Sequence, residues 1–543
     1  MRKRRLAAWI AAPLAVGMLA TACGGGGGGA SEDGFIAVNS TEPENPLVPA
    51  NTTETGGGNV VDAMFTGLIG YDEKTSEPYN EVAQSIETTD NQHYTIKLKP
   101  GWTFHDGTPV TAQSFVRAWN YAAYAPNGQS GASFFEYIKG YDEVSPEDPD
   151  GENGPQEAPE PKAKEMSGLK TPDDSTIEVT LKAPFATFPT MLGYNTFSPM
   201  PDKFFEDQKG FEQHPIGNGP FKFQERQPNA FIKVAKYDKY AGKNKPQVKG
   251  VEFRIYNELE TAYQDLASGN LDFIDQMPPS ALAGEKWKTD LNNRGEVKPI
   301  LSNNALQVPH YDEQNKDPKV RHAISLAIDR KAITEKVFNG TYQPATGWVP
   351  SAAVPGYEPG GCGEWCEFNP QKAKQLLGET GFKGPITITS NADGGHKEWI
   401  TALCGQVKNN LGVDCVFNPV PTFSEFLKMH DEKTHKGPFR FGWLGDYPAA
   451  ETFLGKIYRT AASSNYMGYS SPEFDAAMDK ADRAPSVAEG NKLYQEAEKV
   501  LAKDMPSIPL WDQKAAVGWS DRLDGATVTW DRQLNVETVK LKS

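Results

Sequence analysis

The sequence contains 543 residues, too many for a single hydrophobic core, and the usual size of a domain suggests roughly three or four. Hydrophobic residues make up 38% and charged residues 23%, as in soluble globular proteins, and no stretch beyond residue 22 is apolar enough for a membrane span. The formal net charge of −16 argues against nucleic acid or an anionic lipid surface as a partner.

Residues 1–22 have the pattern of a secretory signal peptide. A basic segment at 2–5 precedes an apolar one, and Ala20-Thr21-Ala22-Cys23 resembles the cleavage site of bacterial lipoproteins. Cleavage before Cys23 would leave a lipid-modified cysteine at the start of a Gly-rich tether, residues 23–34, and would anchor the chain to a membrane. Simple secretion after cleavage at Ala22 is the alternative. The residues around Arg4 and Arg5 do not distinguish the general secretory pathway from the twin-arginine pathway.

Four cysteines remain for other roles once Cys23 is assigned to lipid: Cys362, Cys366, Cys404 and Cys415. Four cysteines allow three disulfide pairings. The local pairing is favoured because Cys362 and Cys366 lie in a Gly-rich loop, whereas Cys404 and Cys415 flank the end of a predicted helix and the strand after it. A zinc site with four thiolates is the alternative, although neither pair has the Cys-x-x-Cys spacing.

The elements predicted from hydrophobic spacing alternate between strands and helices, which indicates a mixed α/β chain without a fixed repeat. Segment 145–165 is rich in Pro and acidic residues and is expected to be an exposed, poorly ordered insertion. In the first part of the chain the predictions are a strand at 35–39, a bend at 56–58, a helix from 60, a strand at 94–98 with a partner starting at Trp102, a turn at 105–107 and a helix capped by Thr111. Strands follow near 177–181, 221–223, 232–234 and 251–255, then a helix at 259–268 and a strand at 271–274. The last part is predicted to contain a helix starting at Asp317–Pro318, a helix at 399–411, a strand at 413–417, a helix capped by Ser486 and an alternating strand from 528 to 539.

His105 beside Asp106 is interpreted as a hydrogen bond in a turn. The pair has the residue types of acid–base chemistry, but no nucleophile accompanies it.

The stretch 439–448 predicts a short strand with aromatic residues at alternating positions, which runs into a Gly-Asp-Tyr-Pro turn. The turn places the carboxylate of Asp446 at the end of the strand, where binding groups often lie. Such a carboxylate can receive an ammonium group of a ligand, and Gly442 and Gly445 would let another backbone approach. The alternative is an acidic turn residue that faces water.

Several strings resemble the extracytoplasmic peptide- and nickel-type solute-binding proteins of ABC importers, family 5. Each string alone is weak evidence for the family, but together the strings follow the order of the family over nearly the whole chain after the signal peptide. They are DAMFTGLIGYD at 62–72, YTIKLKPGWTFHDGTPVT at 94–111, GNGPF at 217–221, DPKVRHA at 317–323, AIDR at 327–330 and GWLGDYP at 442–448.

The resemblance implies a periplasmic-binding-protein fold of type II, a two-lobed α/β clamp with mixed sheets, an extra domain and closure by hinge motion. On this basis lobe I comprises 35–65, 198–302 and 508–543, the extra domain II comprises 66–197 with the acidic loop 145–165, and lobe III comprises 303–507.

The resemblance also assigns residues of the cleft. Asp446 would receive the α-ammonium of a peptide, while Gly442 and Leu444 would pair with the peptide as an added strand. The other residues assigned to the cleft are Trp443, Tyr447, Phe423, Asn303, Asn304, Thr53, Glu54 and Thr55.

The function implied is that of a lipid-anchored receptor, not an enzyme, which captures oligopeptides and delivers them to permease subunits driven by a cytoplasmic ATPase. It would be a monomer without cofactor or metal, held on the outer face of a Gram-positive cell through Cys23. The alternatives are a non-peptide solute such as a nickel chelate, an oligosaccharide or an opine, a peptide sensor, and a secreted hydrolase. No Gly-x-Ser-x-Gly or His-Glu-x-x-His motif supports the hydrolase.

Overall fold

The computed structural model of the chain describes residues 34–147, 158–392 and 395–542. The signal peptide, Cys23 and all but the last residue of the predicted tether lie outside these ranges, as does the middle of the acidic segment, residues 148–157. Within the described ranges, no helix is both long and apolar enough to cross a membrane.

The strands of the described chain are β1 (Phe35–Ser40), β2 (Ile69–Tyr71), β3 (Pro78–Asn80), β4 (Ala83–Thr88), β5 (His93–Leu98), β6 (Leu169–Asp173), β7 (Thr176–Thr180), β8 (Phe221–Gln227), β9 (Phe231–Lys236), β10 (Gly250–Ile255), β11 (Phe273–Ile274), β12 (Gly295–Gln307), β13 (Tyr342–Pro344), β14 (Ile386–Asn391), β15 (Cys415–Val420), β16 (Phe439–Leu444), β17 (Ser507–Trp519), β18 (Leu523–Asp524) and β19 (Lys540–Leu541).

The α-helices of the same ranges are α1 (Thr55–Met64), α2 (Ala112–Ala123), α3 (Tyr141–Val144), α4 (Phe188–Met191), α5 (Asp202–Glu206), α6 (Gln208–Gln213), α7 (Leu259–Ser268), α8 (Pro279–Leu282), α9 (Lys286–Asp290), α10 (Pro318–Leu326), α11 (Arg330–Lys336), α12 (Pro370–Gly378), α13 (Lys397–Leu411), α14 (Phe423–Asp431), α15 (Glu451–Tyr458), α16 (Pro472–Asp482) and α17 (Val487–Asp504).

The largest sheet has the order β15-β14-β16-β12-β17-β11-β1-β10-β9-β8, with β13 paired to β17 off this path. It is mixed, because β1 runs parallel to β10 while β12 runs antiparallel to both β16 and β17. A separate antiparallel sheet has the order β4-β5-β7-β6. The predicted mixed α/β class with mixed sheets is therefore confirmed.

Two large hydrophobic cores divide the described chain along β12 and β17. Ile300 on β12 belongs to the first core and its neighbour Leu301 to the second. On β17, Trp511 packs in the second core, whereas Ala515 packs in the first. These two 13-residue strands thus run from one core into the other.

Local signals account for many helix ends. Asp317 accepts a hydrogen bond from Lys319 N at 2.9 Å, and Pro318 occupies the first turn of α10, as expected for an Asp-Pro start. Gly269 ends α7 with φ of +82°, a left-handed conformation that glycine adopts without steric cost. Thr111 and Ser114 form a capping box at the start of α2.

Three predictions from spacing are wrong. Residues 56–58 are not a bend but the first turn of α1, although the expected close approach exists, since a Cβ on Gly56 would lie 2.2 Å from Thr41 Oγ1. The segment from Trp102 makes only an isolated bridge between Thr103 and Pro109. The tail from 528 to 539 makes one bridge, Val528 to Leu534, because most of its residues line the cavity while Val528, Leu534 and Val539 are buried in a core.

His105 has a structural role. Its Nδ1 accepts a hydrogen bond from Gly217 N, and its Nε2 lies 3.1 Å from the carbonyl oxygen of Gly219. The ring therefore joins the 105–107 turn to the glycine turn before β8.

Two disulfides join Cys362 to Cys366 and Cys404 to Cys415, with Cα–Cα distances of 5.6 and 4.9 Å. These are the two local pairs. Because each of the four sulfurs is part of a disulfide, none is available as a thiolate ligand, and the four-thiolate zinc alternative is wrong.

Candidate functional site

A cavity of about 880 Å³ lies between the two cores. One wall comes from the loop before α1, from α1 itself and from residues 70–74 and 193–195. The other wall comes from Phe423 and the end of β16, residues 442–446, and the C-terminal segment 529–537 closes one side. The volume falls in the range typical of small-molecule and peptide sites.

Asp446 lies immediately beyond the end of β16, on the cavity wall. The turn is tight because Gly445 packs against Leu301, where a Cβ would lie 2.5 Å from Cδ2, and Gly445 N donates to Leu301 O at 2.7 Å. Thr452 Oγ1 on α15 donates to Asp446 Oδ2 at 2.7 Å and accepts from Asp446 N at 3.3 Å. This hydroxyl fixes the orientation of the carboxylate.

Burial raises the pKa of Asp446 to about 6, against the opposing effect of the Thr452 hydrogen bond and the positive charge of Lys456. No Lys, Arg or His in the described chain forms an ion pair with Asp446. The site therefore holds a partly buried carboxylate whose charged form would be favoured by a cation brought in from outside.

The strand β16 has a free edge beside this carboxylate. On one side it pairs with β12 over six residues, from Ser302 opposite Leu444 to Gln307 opposite Phe439. On the other side, β14 pairs with it only at Phe439 within the described residues. The backbone of Gly442 to Leu444 can therefore bind an extended segment through main-chain hydrogen bonds.

Aromatic side chains surround the carboxylate. Tyr194 also lines the cavity, and burial together with the charge of nearby carboxylates, Asp446 first among them, raises the pKa of its hydroxyl. Tyr71 packs edge-on against Trp530 with ring centroids 5.7 Å apart, and burial likewise raises its pKa. These rings exclude water from the cavity wall and strengthen electrostatic interactions there.

The lining of the cavity is strongly acidic. Eight carboxylates line it, against the two ammonium groups of Lys74 and Lys243. The carboxylates are Glu54, Asp62, Asp72, Glu73, Asp275, Asp446, Asp531 and Glu537. Among the described residues, no three His, Cys, Asp or Glu side chains are placed to coordinate one metal ion.

Eight of the residues assigned to the cleft from the sequence line this cavity: Thr53, Glu54, Thr55, Phe423, Gly442, Trp443, Leu444 and Asp446. Glu54 also caps α1, since its Oε1 accepts from Gly57 N at 3.0 Å. Its Oε2 is buried without a hydrogen-bond partner in the described chain.

Three assigned residues lie elsewhere. Asn303 and Asn304 do not border the cavity from the opposite lobe, because β12 pairs with β16 and the two asparagines lie opposite Trp443 and Gly442 in the same sheet. Asn303 is buried and donates to the carbonyl oxygen of Trp348. Tyr447 is fully buried, and its hydroxyl donates to Glu451 instead of facing the cavity.

Sequence reasoning missed Tyr71, Tyr194, Asp62 and the whole segment 529–537. The alternation in that segment predicted a strand, so its polar side chains were not recognised as candidates for the cavity. One local signal was present for Asp62, an acidic residue in the last turn of α1, where the helix dipole disfavours negative charge.

The sequence profile described as bacterial extracellular solute-binding proteins, family 5 Middle, matches residues 77–465. The chain is 28% identical over 530 residues to the periplasmic oligopeptide-binding protein OppA of Salmonella typhimurium, covering 94% of this chain and 93% of that protein. It is 26% identical over 491 residues to the oligopeptide-binding protein OppA of Bacillus subtilis, covering 87% and 86%.

Solved structures have the same fold. The periplasmic oligopeptide-binding protein OppAIV of Borrelia burgdorferi matches with a TM-score of 0.79 at 24% identity, covering 94% of this chain and 100% of that one. The murein tripeptide binding protein MppA of Escherichia coli matches with a TM-score of 0.79 at 23% identity, covering 93% and 98%. The predicted fold class is confirmed, and the chain belongs to the bacterial extracellular solute-binding proteins of family 5.

Proposed function

We propose that this protein captures oligopeptides outside the cytoplasm and delivers them to the permease of an ABC importer. The observation that carries the proposal is the position of Asp446, a carboxylate without an ion-pair partner in the described chain, at the end of a strand whose outer edge is free. A free peptide offers both complementary groups, an α-ammonium and an extended backbone.

The ammonium would bind at Asp446. An ammonium donates charge-assisted hydrogen bonds to a carboxylate, and these are about twice as strong as neutral ones. Burial removes water from the carboxylate and so raises the pKa of Asp446, and a bound ammonium would stabilise the charged form. Thr452 holds the carboxylate in place while the ligand binds.

The backbone of the peptide would pair with β16. Gly442 carries no side chain over the strand edge, and Trp443 and Leu444 also line the cavity. Main-chain pairing binds a peptide without reading its sequence, so side-chain preference would arise from the rest of the cavity. The similar proteins of Salmonella and Bacillus are named as oligopeptide-binding proteins, which supports a peptide as the ligand class.

The domain organisation proposed from the sequence has lobe I at 35–65, 198–302 and 508–543, domain II at 66–197 and lobe III at 303–507. Support comes from the two cores, which meet along β12 and β17 near Ile300 and Trp511. Since these two long strands pass from one core into the other, they would act as the hinge on which the lobes close.

The proposed location is the outer face of the membrane of a Gram-positive bacterium, with Cys23 as the lipid anchor and residues 23–34 as the tether. The sequence pattern at 20–23 and membership of an extracellular family support it. The protein would act as a monomer with permease subunits and their ATPase as partners, and it would bind ligands reversibly without turnover.

The test is calorimetric titration of the purified protein with a free tetrapeptide and with its N-acetylated form. The wild type should bind the free peptide at least tenfold more tightly, because acetylation removes the ammonium. Asp446→Asn should lose this difference. Asp414→Asn removes an exposed carboxylate, 70% accessible and paired with Lys408, and serves as the matched control.

Native mass spectrometry of the freshly purified protein provides a second readout. Bound masses that disappear on unfolding and sequence as short peptides would support the proposal. Failure to bind any member of a peptide library, with no gain in melting temperature, would refute the peptide ligand and point to another solute.

A further inference from the structure

A row of four residues crosses the large sheet at the strands proposed as the hinge. Asn303 on β12 lies opposite Trp443 on β16, and Trp443 lines the cavity. On its other side Asn303 lies opposite Asp512 on β17, which in turn lies opposite Gln343 on β13. Residues directly opposite each other project from the same face of a sheet. The row therefore connects the wall of the cavity, through Asn303 and Asp512, to β13 beyond the hinge.

The pairing of the two hinge strands is irregular around this row. The register of β12 against β17 shifts between Pro299 and Asn303 and again between Asn304 and Ala305. Such shifts leave main-chain groups of the ladder unpaired. A hydrogen bond between the side chains of Asn303 and Asp512 would therefore add a connection where the main chain supplies few.

Two buried acceptor atoms belong to opposite residues of this row. Asn303 and Asp512 are each 5% exposed, and neither Asn303 Oδ1 nor Asp512 Oδ1 has a hydrogen-bond partner in the described chain. Trp348 fixes the orientation of the Asn303 amide, because its carbonyl oxygen accepts from Nδ2 and leaves Oδ1 over. An amide oxygen and a carboxylate oxygen can only accept, and a buried acceptor without a donor destabilises the folded state. The row thus lacks one donor.

A proton on Asp512 would supply that donor. A neutral carboxyl group donates through its O–H, so one proton would satisfy Asn303 Oδ1 and remove a buried charge. Burial and the negative charge of Glu498 on α17 raise the pKa of Asp512 well above its usual value, against the opposing effect of Gln343. No Lys, Arg or His of the described chain forms an ion pair with Asp512. The surroundings therefore favour the neutral form.

Glu498 is the better place for the negative charge. Its carboxylate accepts hydrogen bonds from Trp348 N at 2.7 Å, Val349 N at 3.3 Å and Tyr357 OH at 2.7 Å. These donors stabilise the charged form, so burial raises the pKa of Glu498 only to about 7. Two carboxyl groups whose surroundings differ in this way ionise in order, Glu498 before Asp512.

We propose that Asp512 is a neutral carboxylic acid in the folded protein at neutral pH and donates a hydrogen bond to Asn303 Oδ1, which makes it a positioning residue for the peptide-binding strand. The bond holds β17 to β12 at the hinge, and β12 pairs with β16, the strand that ends just before Asp446. The effect on peptide affinity rests on the proposed function, whereas the hydrogen bond itself does not.

Infrared spectroscopy of the purified protein tests the proton. The carbonyl stretching band of a neutral carboxylic acid is separate from the bands of a carboxylate, so the spectrum of the wild type minus that of Asp512→Asn isolates this group. At neutral pH the difference should contain the band of a neutral acid, and the band should shift in heavy water. The same subtraction with Asp414→Asn, which removes a carboxylate that is 70% accessible and paired with Lys408, should show carboxylate bands alone.

Peptide affinity tests the hydrogen bond. Asp512→Leu has nearly the same shape but leaves Asn303 Oδ1 without a donor, and it should bind the tetrapeptide Ala-Ala-Ala-Ala about tenfold more weakly than the wild type. Asp512→Asn has an N–H that can donate in place of the O–H, so it should restore most of the affinity that the leucine variant loses. Asp414→Leu makes the same change at an exposed position and is the matched control, with the affinity of the wild type.

Two results would overturn the proposal. Carboxylate bands alone in the Asp512 difference spectrum would show that the group is charged and that water or a cation satisfies both oxygens. Equal losses of affinity in Asp512→Asn and Asp512→Leu would show that a donor at this position does not hold the strands. Should Asp512→Leu fail to fold, the infrared difference still decides. Failure of the wild type to bind any peptide would refute the proposed function instead, and the spectra would still show whether Asp512 carries the proton.

Discussion

Lys456 Nζ lies 2.6 Å from Glu136 Oε1 and joins α15, the helix after Asp446, to the part of the chain that carries the four-stranded sheet. The ammonium is buried, 5% exposed, and also donates to Ser133 O at 3.1 Å. Next to it, Tyr137 OH donates to Glu451 Oε1 at 2.6 Å. Since Thr452 of the same helix holds Asp446, α15 connects the binding carboxylate to these contacts with residues 133–137.

Lys456→Met should therefore weaken peptide binding and favour a more open protein. Glu136 is 44% exposed, so water would stabilise it after the loss of its partner, and we expect a cost of about 1 kcal/mol, roughly a fivefold higher Kd. Small-angle scattering with bound peptide should show a larger radius of gyration. Lys499→Met, which removes an exposed pair with Glu496, is the control. An unchanged Kd and radius would show that this ion pair does not support closure.

Thr452→Val should weaken peptide binding about tenfold, on the order of one hydrogen bond to a charged group. The valine has the same shape but cannot donate to Asp446 Oδ2, so the pKa of Asp446 should rise further above 6. As the pH is lowered from 8 to 5, the peptide affinity of the valine variant should therefore begin to fall at a higher pH than that of the wild type. Thr452→Ser keeps the hydroxyl and should restore the pH profile; a valine variant with the wild-type profile would contradict this role.

The ligand-free protein should lose stability as the pH rises from about 5 to about 8. Burial raises the pKa of Asp482 and Glu498 to about 7 and that of Glu537 to about 8. In that range the folded state holds protons that the unfolded state has released, so the free energy of unfolding falls with rising pH. Calorimetry should give a lower melting temperature at pH 8.5 than at pH 7.

Below pH 6.5 the histidines oppose this trend. Burial lowers the pKa of His105 and His310 to about 4, so the unfolded state binds more protons there and stability falls as the pH drops. Above pH 6.5 these histidines are neutral in both the folded and the unfolded state, so the fall in melting temperature there comes from the carboxylates alone. Glu498→Gln should reduce the slope above pH 7, whereas a melting temperature that rises steadily to pH 8.5 would refute the prediction.

Two glycines should respond in opposite directions to replacement by alanine. At Gly217 the added Cβ would lie 1.9 Å from the carbonyl oxygen of Met64, a backbone atom that cannot move aside, so Gly217→Ala should cost about 3 kcal/mol. Gly405 lies inside α13 with nothing within 4 Å, and Gly405→Ala should gain roughly 0.5–1 kcal/mol. Urea denaturation measures both, and a neutral Gly217→Ala would show that the turn at Gly217 can move away from the end of α1.

Much of the fold follows from signals a few residues long. The Asp-Pro start of α10, the glycine after α7 and the aromatic alternation in β16 act through atoms of the same segment, so the sequence predicts them. The position of Asp446 at the end of β16 follows for the same reason. The prediction of a strand failed in the tail, because this segment lies between a core and the cavity and its backbone forms only the bridge of Val528 to Leu534.

The sequence by itself determined the family, the mixed α/β class and the strand that ends just before Asp446. Only the tertiary structure decided which polar residues face the cavity. Asn303 and Asn304 are polar residues of a type common in binding clefts, but the pairing of β12 with β16 places them within the sheet. Gln533 reaches Asp62 across 471 residues, and contacts at such separations arise from the packing of distant segments, which no local pattern of residues encodes.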